Sequence, residues 1–212
     1  MNDSTVAASS RFDILTVCTG NICRSPLAEH LLRQGFQRLE GVAIRSAGTD
    51  ALVGEGMTDQ TLAIALANGA TSPEQHRARA LDGEHLRGSS LVIALTRAHR
   101  SEIVAMLPRS SRRTFTLREL ARLLETVQPS NLSAVAALSL ANISGRFTEL
   151  VDIAAGLRGY IPPPEHEIDD DVIDPYRKSD DVYALMESQL VPAVDTIVNR
   201  FELAATITPD RV

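Results

Sequence analysis

Nine consecutive residues near the start of the chain combine the side chains that phosphoryl transfer requires. The segment is CTGNICRSP, residues 18–26. It begins with a cysteine, and after five further residues come an arginine and a serine. A thiolate is a good nucleophile, and the planar guanidinium group of arginine binds two oxygens of one phosphate. The segment therefore predicts a nucleophile, Cys18, beside a phosphate-binding residue, Arg24. The alternative is a buried structural cysteine next to a surface arginine.

The residues on either side of this segment predict a strand before it and a helix after it. Residues 12–17 are apolar and β-prone, and large apolar residues recur at helical spacing within residues 27–39. Ser25 is a good N-cap residue, and Pro26 suits the first helical position. A helix that begins here points its positive end at the loop, where backbone N–H groups bind anions. This field should stabilise the thiolate of Cys18.

The remainder of the chain alternates between strand patterns and helix patterns. Such alternation favours a parallel sheet covered by helices on both faces. The predicted fold is an α/β fold with a four-stranded parallel sheet and the phosphate-binding loop after its first strand. The strands are predicted at residues 12–17, 42–46, 90–95 and 113–116, and the helices at residues 26–39, 58–68, 98–106, 117–125 and 181–203.

Composition and charge restrict the classes of partner and cofactor. The chain has 212 residues and a net charge of −6 without a long basic run, which argues against nucleic acid as a partner. No apolar run is long enough to cross a bilayer, and the polar start lacks a signal-peptide core. The only two cysteines lie in the loop, so a disulfide framework is excluded and a reducing cytoplasm is expected. We expect neither a metal nor a cofactor.

We interpret residues 1–212 as a single domain with one insertion. Residues 1–10 are expected to be disordered. The insertion, residues 126–167, combines two short helical patterns with a proline run and precedes a strongly acidic stretch. It is interpreted as a helical hairpin and linker packed on the surface, with a cap over the active site or a docking surface as the alternative.

The chain resembles the low-molecular-weight protein tyrosine phosphatase family. That family carries a C-x5-R-[ST] loop near its N-terminus and an Asp-Pro pair near its C-terminus, and this chain has Asp174-Pro175-Tyr176. The resemblance extends over residues 12–124 and 168–203. Residues 51–54 and 174–179 look especially similar to bacterial members that act with exopolysaccharide tyrosine kinases.

Hydrolysis through a phosphocysteine needs an acid for the leaving oxygen and a base for the attacking water. Asp174 is the candidate for both roles. Three aspartates at residues 169–171 precede it, and like charges close together tend to keep one carboxyl group protonated. Without the cysteine loop, the Asp-Pro pair would indicate an ordinary surface turn.

The resemblance implies further roles inside and outside the loop. Ser25 would donate to the sulfur of Cys18, and Cys23 would form a reversible disulfide with Cys18, unless Cys23 is simply a small buried residue. A buried polar network would contain Asn21, Ser25, Ser46 and His76, with an exposed histidine as the alternative for His76. The loop residues expected to bind phosphate are Thr19, Gly20, Asn21, Ile22, Cys23, Arg24 and Ser25.

The expected substrate is phosphotyrosine on a protein. Ile22, Leu52 and Tyr176 are candidate walls for an aromatic ring, and Ile22 replaces the threonine that the resemblance associates with arginine phosphatases. The predicted function is a cysteine-dependent tyrosine phosphatase that opposes a bacterial tyrosine kinase in exopolysaccharide control. Three alternatives remain: an arsenate reductase that uses an external thiol, a protein-arginine phosphatase, and a non-catalytic phosphotyrosine-binding module.

Overall fold

The sheet of this protein has four parallel strands. The computed structural model describes residues 11–212, so the expectation of disorder at residues 1–10 lies outside the described residues. The strand order is β2-β1-β3-β4, which places the first strand inside the sheet and confirms the predicted fold class. The strands are β1 (Phe12–Cys18), β2 (Val42–Gly48), β3 (Leu91–Ala94) and β4 (Thr114–Thr116).

Eight α-helices lie within residues 11–212, and all five predicted helices are among them. The first helix begins two residues earlier and ends four residues earlier than predicted, because the chain turns after Gly35 while Phe36 and Leu39 still pack on the core. No helix in this part of the chain is long and apolar enough to cross a membrane. The helices are α1 (Arg24–Gly35), α2 (Asp59–Ala67), α3 (Gly83–Arg87), α4 (Arg97–Met106), α5 (Leu117–Glu125), α6 (Ser133–Ala137), α7 (Ile143–Leu157) and α8 (Asp180–Thr206).

The two faces of the sheet carry cores of unequal size. Alternate residues of β1 point to opposite faces, so Phe12 and Ile14 join one core while Leu15 and Val17 join the other. The larger core includes residues of α1, α2, α5, α6, α7 and α8, and the smaller one is closed by α3 and α4. Because all four strands are parallel, their carboxyl ends lie at the same end of the sheet, and the loop after Cys18 lies there.

The helices of residues 126–167 pack into the larger core rather than on the surface. Phe147 of α7 makes edge-to-face contacts with Phe12 and Phe201, at centroid distances of 5.3 and 4.8 Å. Phe12 begins β1, whereas the predicted nucleophile Cys18 ends it. These helices therefore lie toward the opposite end of the sheet from the loop, and neither a surface hairpin nor a cap describes their position.

A buried arginine ties this segment to the end of the chain. Arg146 of α7 is fully buried. Its guanidinium group donates to the backbone carbonyls of Leu138, Ala204 and Ile207, two of which lie at the C-terminal end of α8. These carbonyls have no partner inside the helix, and a cation is favourable at this end of a helix dipole.

Replacing Phe147 with alanine tests whether this segment is structural. We expect Phe147→Ala to lower the free energy of unfolding by about 3–5 kcal/mol, because a fully buried aromatic ring leaves a cavity. Urea unfolding measures the loss, and Tyr160→Ala is the matched control because Tyr160 is 85% exposed. Equal loss in both variants would contradict the assignment of Phe147 to the core.

Candidate active site

The loop between β1 and α1 turns its carbonyl groups outward. Backbone N–H groups of residues 49–58 bind them from the outside, and the peptide bonds are trans. Because N–H and C=O point in opposite directions in a trans peptide, the N–H groups of the loop face inward, as an anion-binding nest requires. The bonds run from Thr49 N to Cys18 O (2.9 Å), Asp50 N to Thr19 O (3.1 Å), Leu52 N to Gly20 O (3.1 Å) and Thr58 N to Ile22 O (3.1 Å).

Asn21 fixes the shape of the loop from its centre. Its backbone is left-handed, with φ of 54°, a conformation that asparagine tolerates better than most residues. Its side-chain amide donates to Ser25 Oγ (2.9 Å) and Ser46 Oγ (2.8 Å) and accepts from the N–H of Arg79 (2.9 Å). His76 is buried and bonds the carbonyl of Asn21 through Nε2 (2.7 Å). The structure thus brings together the four residues predicted to form a polar network.

The network extends to a residue that the sequence did not single out. Ser46 donates a hydrogen bond to Glu29, which is almost fully buried and pairs with Arg33 at 2.6 Å. Glu29 and Arg33 are four residues apart, a spacing typical of an exposed ion pair on a helix. Only the tertiary structure reveals that this carboxylate lies beneath the loop.

The sulfur of Cys18 faces the hydroxyl group of Ser25 at 3.0 Å. Ser25 Oγ accepts from Asn21, and its own proton has two acceptors within reach, the sulfur at 3.0 Å and the carbonyl of Ala47 at 3.4 Å, of which the sulfur is the nearer. Ser25 is therefore not the N-cap residue that we predicted. The helix begins at Arg24 after Cys23, and the Ser25 hydroxyl is occupied inside the loop.

Arg24 is buried at the junction of the loop and α1 and pairs with Asp174. Its Nη2 lies 3.0 Å from a carboxylate oxygen of Asp174, and its Nη1 donates to the carbonyl of Val172 at 3.2 Å. Its Nε has no hydrogen-bond partner among residues 11–212. A buried donor without a partner is costly, and an oxyanion on this edge of the guanidinium group would satisfy it.

Backbone hydrogen bonds hold Asp174 at the site. Val172 N–H donates to the carbonyl of Leu95 just after β3, at 2.9 Å, and Ile173 N–H donates to the side chain of Gln189 at 2.8 Å. The two residues before Asp174 are thereby attached, Val172 to the end of β3 and Ile173 to α8. The Asp174 side chain itself is 53% exposed, so it stands at the boundary between the loop and solvent.

The aspartates that precede Asp174 are directed elsewhere, against our expectation of a carboxylate cluster. Asp170 pairs with Arg122 at 3.1 Å, and a carboxylate oxygen of Asp171 accepts from the N–H of Arg97 at 2.7 Å. Arg122 neutralises Asp170 by an ion pair, whereas Asp171 is held by the uncharged backbone amide of Arg97. The charged partner of Asp174 is Arg24 instead.

A cavity of about 160 Å³ opens above the loop. The predicted wall residues meet there: Ile22 is buried, while Leu52 and Tyr176 are partly exposed at the rim. Asp50, which the sequence did not single out, also lines the cavity. No residue of 126–167 is among the described residues that line it. The lining residues are Cys18, Thr19, Gly20, Ile22, Cys23, Arg24, Asp50, Leu52, Asp174 and Tyr176.

Comparison with known proteins places the chain in a family. Residues 13–133 match the family described as low molecular weight phosphotyrosine protein phosphatase. The chain belongs to this family. The matched residues include the whole loop but end before Asp174, so the role of Asp174 depends on its position beside Arg24.

Individual members of the low molecular weight phosphotyrosine protein phosphatase family resemble the chain in part. The low molecular weight protein-tyrosine-phosphatase Etp of Escherichia coli strain K12 is 44% identical over 95 residues, which cover 45% of this chain and 62% of that protein. A protein-arginine-phosphatase of Geobacillus stearothermophilus is 36% identical over 108 residues, covering 51% of this chain and 70% of that protein. The solved structure of the YwlE arginine phosphatase from Geobacillus stearothermophilus has a TM-score of 0.62 and 25% identity, covering 90% of this chain and 93% of that one.

The two cysteines of the family loop occupy different environments. Cys23 Sγ lies 3.6 Å from the hydroxyl of Thr58 and 3.9 Å from that of Tyr183. Burial raises the pKa of the Cys23 thiol, and the hydrogen bonds only partly oppose this. Cys23 therefore stays a neutral thiol near pH 7. Both cysteines are free.

A buried histidine from α4 also contacts the family loop. His99 Nε2 lies 2.9 Å from the hydroxyl of Thr19, and Nδ1 lies 2.8 Å from that of Thr96. The sequence analysis missed His99 because 80 residues separate it from Thr19. The available signal was a Thr-x-x-His pattern at a helix start, which only indicates an N-cap.

The charge state of His99 predicts a pH dependence of stability. Burial, reinforced by the neighbouring Arg24 cation and opposed by Asp174, lowers the pKa of His99 from 6.5 to about 4. Between these values the unfolded chain binds more protons than the native protein. The free energy of unfolding therefore falls as the pH falls from 6.5 to 4, by about 3 kcal/mol from this group alone.

Urea unfolding at pH 7 and pH 4.5, for the wild type and His99→Gln, measures this contribution. Burial also lowers the pKa values of His30 and His76, but these groups titrate in both proteins and cancel in the comparison. We expect the wild type to lose more stability than His99→Gln over this range. Parallel losses would show that His99 titrates normally.

Proposed function

We propose that this protein is a protein tyrosine phosphatase that works through a phosphocysteine intermediate. The observation that carries the proposal is that Cys18, Arg24 and Asp174 line one cavity above a loop of inward-facing N–H groups. A nucleophile, an oxyanion cradle and a carboxyl group within reach are the parts that phosphoryl transfer requires. Family membership and similarity to named tyrosine phosphatases support the same reaction.

In the first step the phosphate of the substrate lies in the loop. Its oxygens accept hydrogen bonds from the backbone N–H groups of the loop and from Nε and Nη2 of Arg24. The phosphate displaces Asp174 from Arg24, and its negative charge favours the protonated carboxyl group. Cys18 sulfur then attacks phosphorus in line. The bond between phosphorus and the phenolic oxygen breaks, and this oxygen takes the proton of Asp174.

In the second step water attacks the phosphocysteine and transfers its proton to Asp174. The bond between sulfur and phosphorus breaks, which releases inorganic phosphate and leaves a thiolate at Cys18. The hydroxyl of Ser25, 3.0 Å from the sulfur, stabilises the departing thiolate by a hydrogen bond. Asn21 donates to one lone pair of this hydroxyl and thereby holds Ser25 Oγ beside the sulfur.

The walls of the cavity favour an aromatic phosphate ester over phosphoarginine. Ile22, Leu52 and Tyr176 offer apolar contact to a ring, whereas a guanidinium group needs polar partners. We therefore propose phosphotyrosine on a protein as the substrate, with a bacterial tyrosine kinase of exopolysaccharide control as the opposing enzyme. A catalytic thiolate also favours the reducing cytoplasm as its location.

A protein-arginine phosphatase is the second candidate. Two observations favour it: the similarity to named arginine phosphatases, and the carboxylate of Asp50 at the cavity, which could pair with a guanidinium group. Ile22 opposes it, because this apolar side chain lines the cavity, where a guanidinium group needs polar partners.

A substrate panel tests the proposal and separates these candidates. We expect the wild type to hydrolyse phosphotyrosine peptides with a kcat/KM at least about tenfold above that for phosphoarginine peptides, since one well-placed apolar wall contributes about 1–3 kcal/mol to discrimination. Ile22→Thr should narrow this ratio, and Ile168→Thr is the matched control because Ile168 is 72% exposed. Faster release of phosphate from phosphoarginine would overturn the assignment. Absence of turnover on every ester would direct attention to arsenate with an external thiol, and then to phosphopeptide binding.

A further inference from the structure

His99 and Thr19 form a contact that the proposed reaction leaves without a role. His99 is 5% exposed and is the third residue of α4, while Thr19 follows the nucleophile and lines the cavity. The imidazole ring spans the distance between Thr96, which caps α4, and Thr19. The two ring nitrogens of His99 therefore connect the start of α4 to the loop between β1 and α1.

Hydrogen bonding and burial together favour one position for the proton of the His99 ring. The neutral ring has one donor and one acceptor, and the low pKa of His99 keeps it neutral near pH 7. Thr96 Oγ1 already accepts from the backbone N–H of His99 at 3.2 Å, and its only other partner among residues 11–212 is Nδ1. With the ring proton on Nε2, Thr96 donates to Nδ1 and the unpaired hydroxyl proton is that of Thr19, which is exposed; with the ring proton on Nδ1, the unpaired proton is that of Thr96, which is half-buried. Because an unpaired donor costs more where it is less accessible to water, the structure favours the ring proton on Nε2.

This tautomer determines the direction of the Thr19 hydroxyl group. His99 Nε2–H donates to Thr19 Oγ1, which occupies a lone pair of that oxygen. The Thr19 proton cannot then point at the ring. No other side chain within residues 11–212 hydrogen-bonds Thr19 Oγ1, so its O–H group is free to turn into the cavity above the loop.

We propose that the Thr19 hydroxyl is an additional donor to the bound phosphoryl group and that His99 is the positioning residue that orients it. The inference rests on the proposed function, because it assumes that a phosphate occupies the loop. A hydroxyl donor adds to the backbone N–H groups and Arg24 without adding charge. The neutral ring suits this role. A protonated His99 ring would be a second cation beside Arg24 and would compete with Arg24 for Asp174.

Binding of inorganic phosphate to Thr19→Val and His99→Leu, measured by calorimetry on the full chain, tests the proposal. We expect each variant to bind phosphate about tenfold more weakly than the wild type, as for loss of one hydrogen bond to a charged acceptor. The double variant should be no weaker than Thr19→Val, because both changes remove the same bond. Thr148→Val is the matched control, since Thr148 is exposed on α7.

Two further readouts separate orientation from mere structural support. His99→Gln, whose amide N–H can reach the same hydroxyl, should restore phosphate binding to within about threefold of the wild type. Nitrogen-15 NMR of the histidine rings should report a proton on Nε2 of His99, with the His99→Gln spectrum identifying its signals. Because Thr19 is exposed, Thr19→Val remains informative even if His99→Leu fails to fold.

The outcomes distinguish this inference from the proposed function. Wild-type affinity for phosphate in Thr19→Val, additive losses in the double variant, or a proton on Nδ1 would each overturn the inference while leaving phosphatase activity intact. A wild-type protein that neither binds phosphate nor hydrolyses a phosphate ester would overturn both.

Discussion

Cys18→Ser is expected to reduce hydrolysis of phosphotyrosine peptides by at least about a thousandfold. The serine hydroxyl is a far weaker nucleophile than a thiolate, and the loop provides no base to remove its proton. The cradle of N–H groups and Arg24 does not depend on the sulfur, so the variant should still bind phosphate. Initial rates with phosphotyrosine peptides, together with calorimetry of phosphate binding, measure the two effects separately.

Cys23→Ser is the informative comparison for the nucleophile. Cys23 lies in the same loop, but its side chain faces Thr58 and Tyr183 and it stays a neutral thiol. We expect this variant to retain turnover within about tenfold of the wild type, because its backbone N–H remains in place. Equal loss of activity in the two serine variants would contradict the assignment of Cys18 as the nucleophile.

Asp174→Asn is expected to slow hydrolysis of phosphotyrosine peptides by about a hundredfold or more, the usual contribution of a positioned general acid. The loss should be much smaller for p-nitrophenyl phosphate. A tyrosyl oxygen has a pKa near 10 and needs a proton to leave, whereas p-nitrophenolate leaves readily without one. Rates for a series of aryl phosphates should therefore depend more steeply on leaving-group pKa in the variant.

Asp169→Asn is the matched control for this effect. Asp169 lies five residues before Asp174 in the same acidic stretch, and no side-chain contact links it to the cavity within residues 11–212. It should hydrolyse both kinds of ester like the wild type. If Asp174→Asn lost the same factor with every leaving group, Asp174 would act through Arg24 rather than as the acid.

The fold was predictable because the hydrophobic patterns that indicate its strands and helices are local and recur along the chain. Apolar runs of strand length alternate with segments of helical spacing, and a buried parallel sheet is the arrangement that satisfies both. The helices of residues 126–167 were found from the same pattern, yet their position was not. Nothing in the periodicity of α7 indicates that Phe147 meets Phe12 and Phe201, which are 135 and 54 residues away along the chain.

The residues of the candidate site also fall into two groups, those that the sequence predicted and those that only the structure revealed. Cys18, Arg24 and Ser25 were identified because the loop is contiguous, so the sequence itself brings them together. Glu29 and His99 were missed because the first resembles a member of a surface ion pair and the second a residue near a helix cap. Their contacts with Ser46 and Thr19 join elements separated along the chain.

The sequence by itself determined the family, the four-stranded parallel sheet and the loop between β1 and α1 that we propose binds phosphate, because each depends on residue types at fixed short spacing. Only the tertiary structure decided the partners of the aspartates before Asp174, the hydroxyl assignment of Ser25 and the placement of His99 against Thr19. These depend on which side chains compete for one buried donor or acceptor. Burial makes an unsatisfied polar group costly, so the folded chain selects the partner that local preference cannot specify.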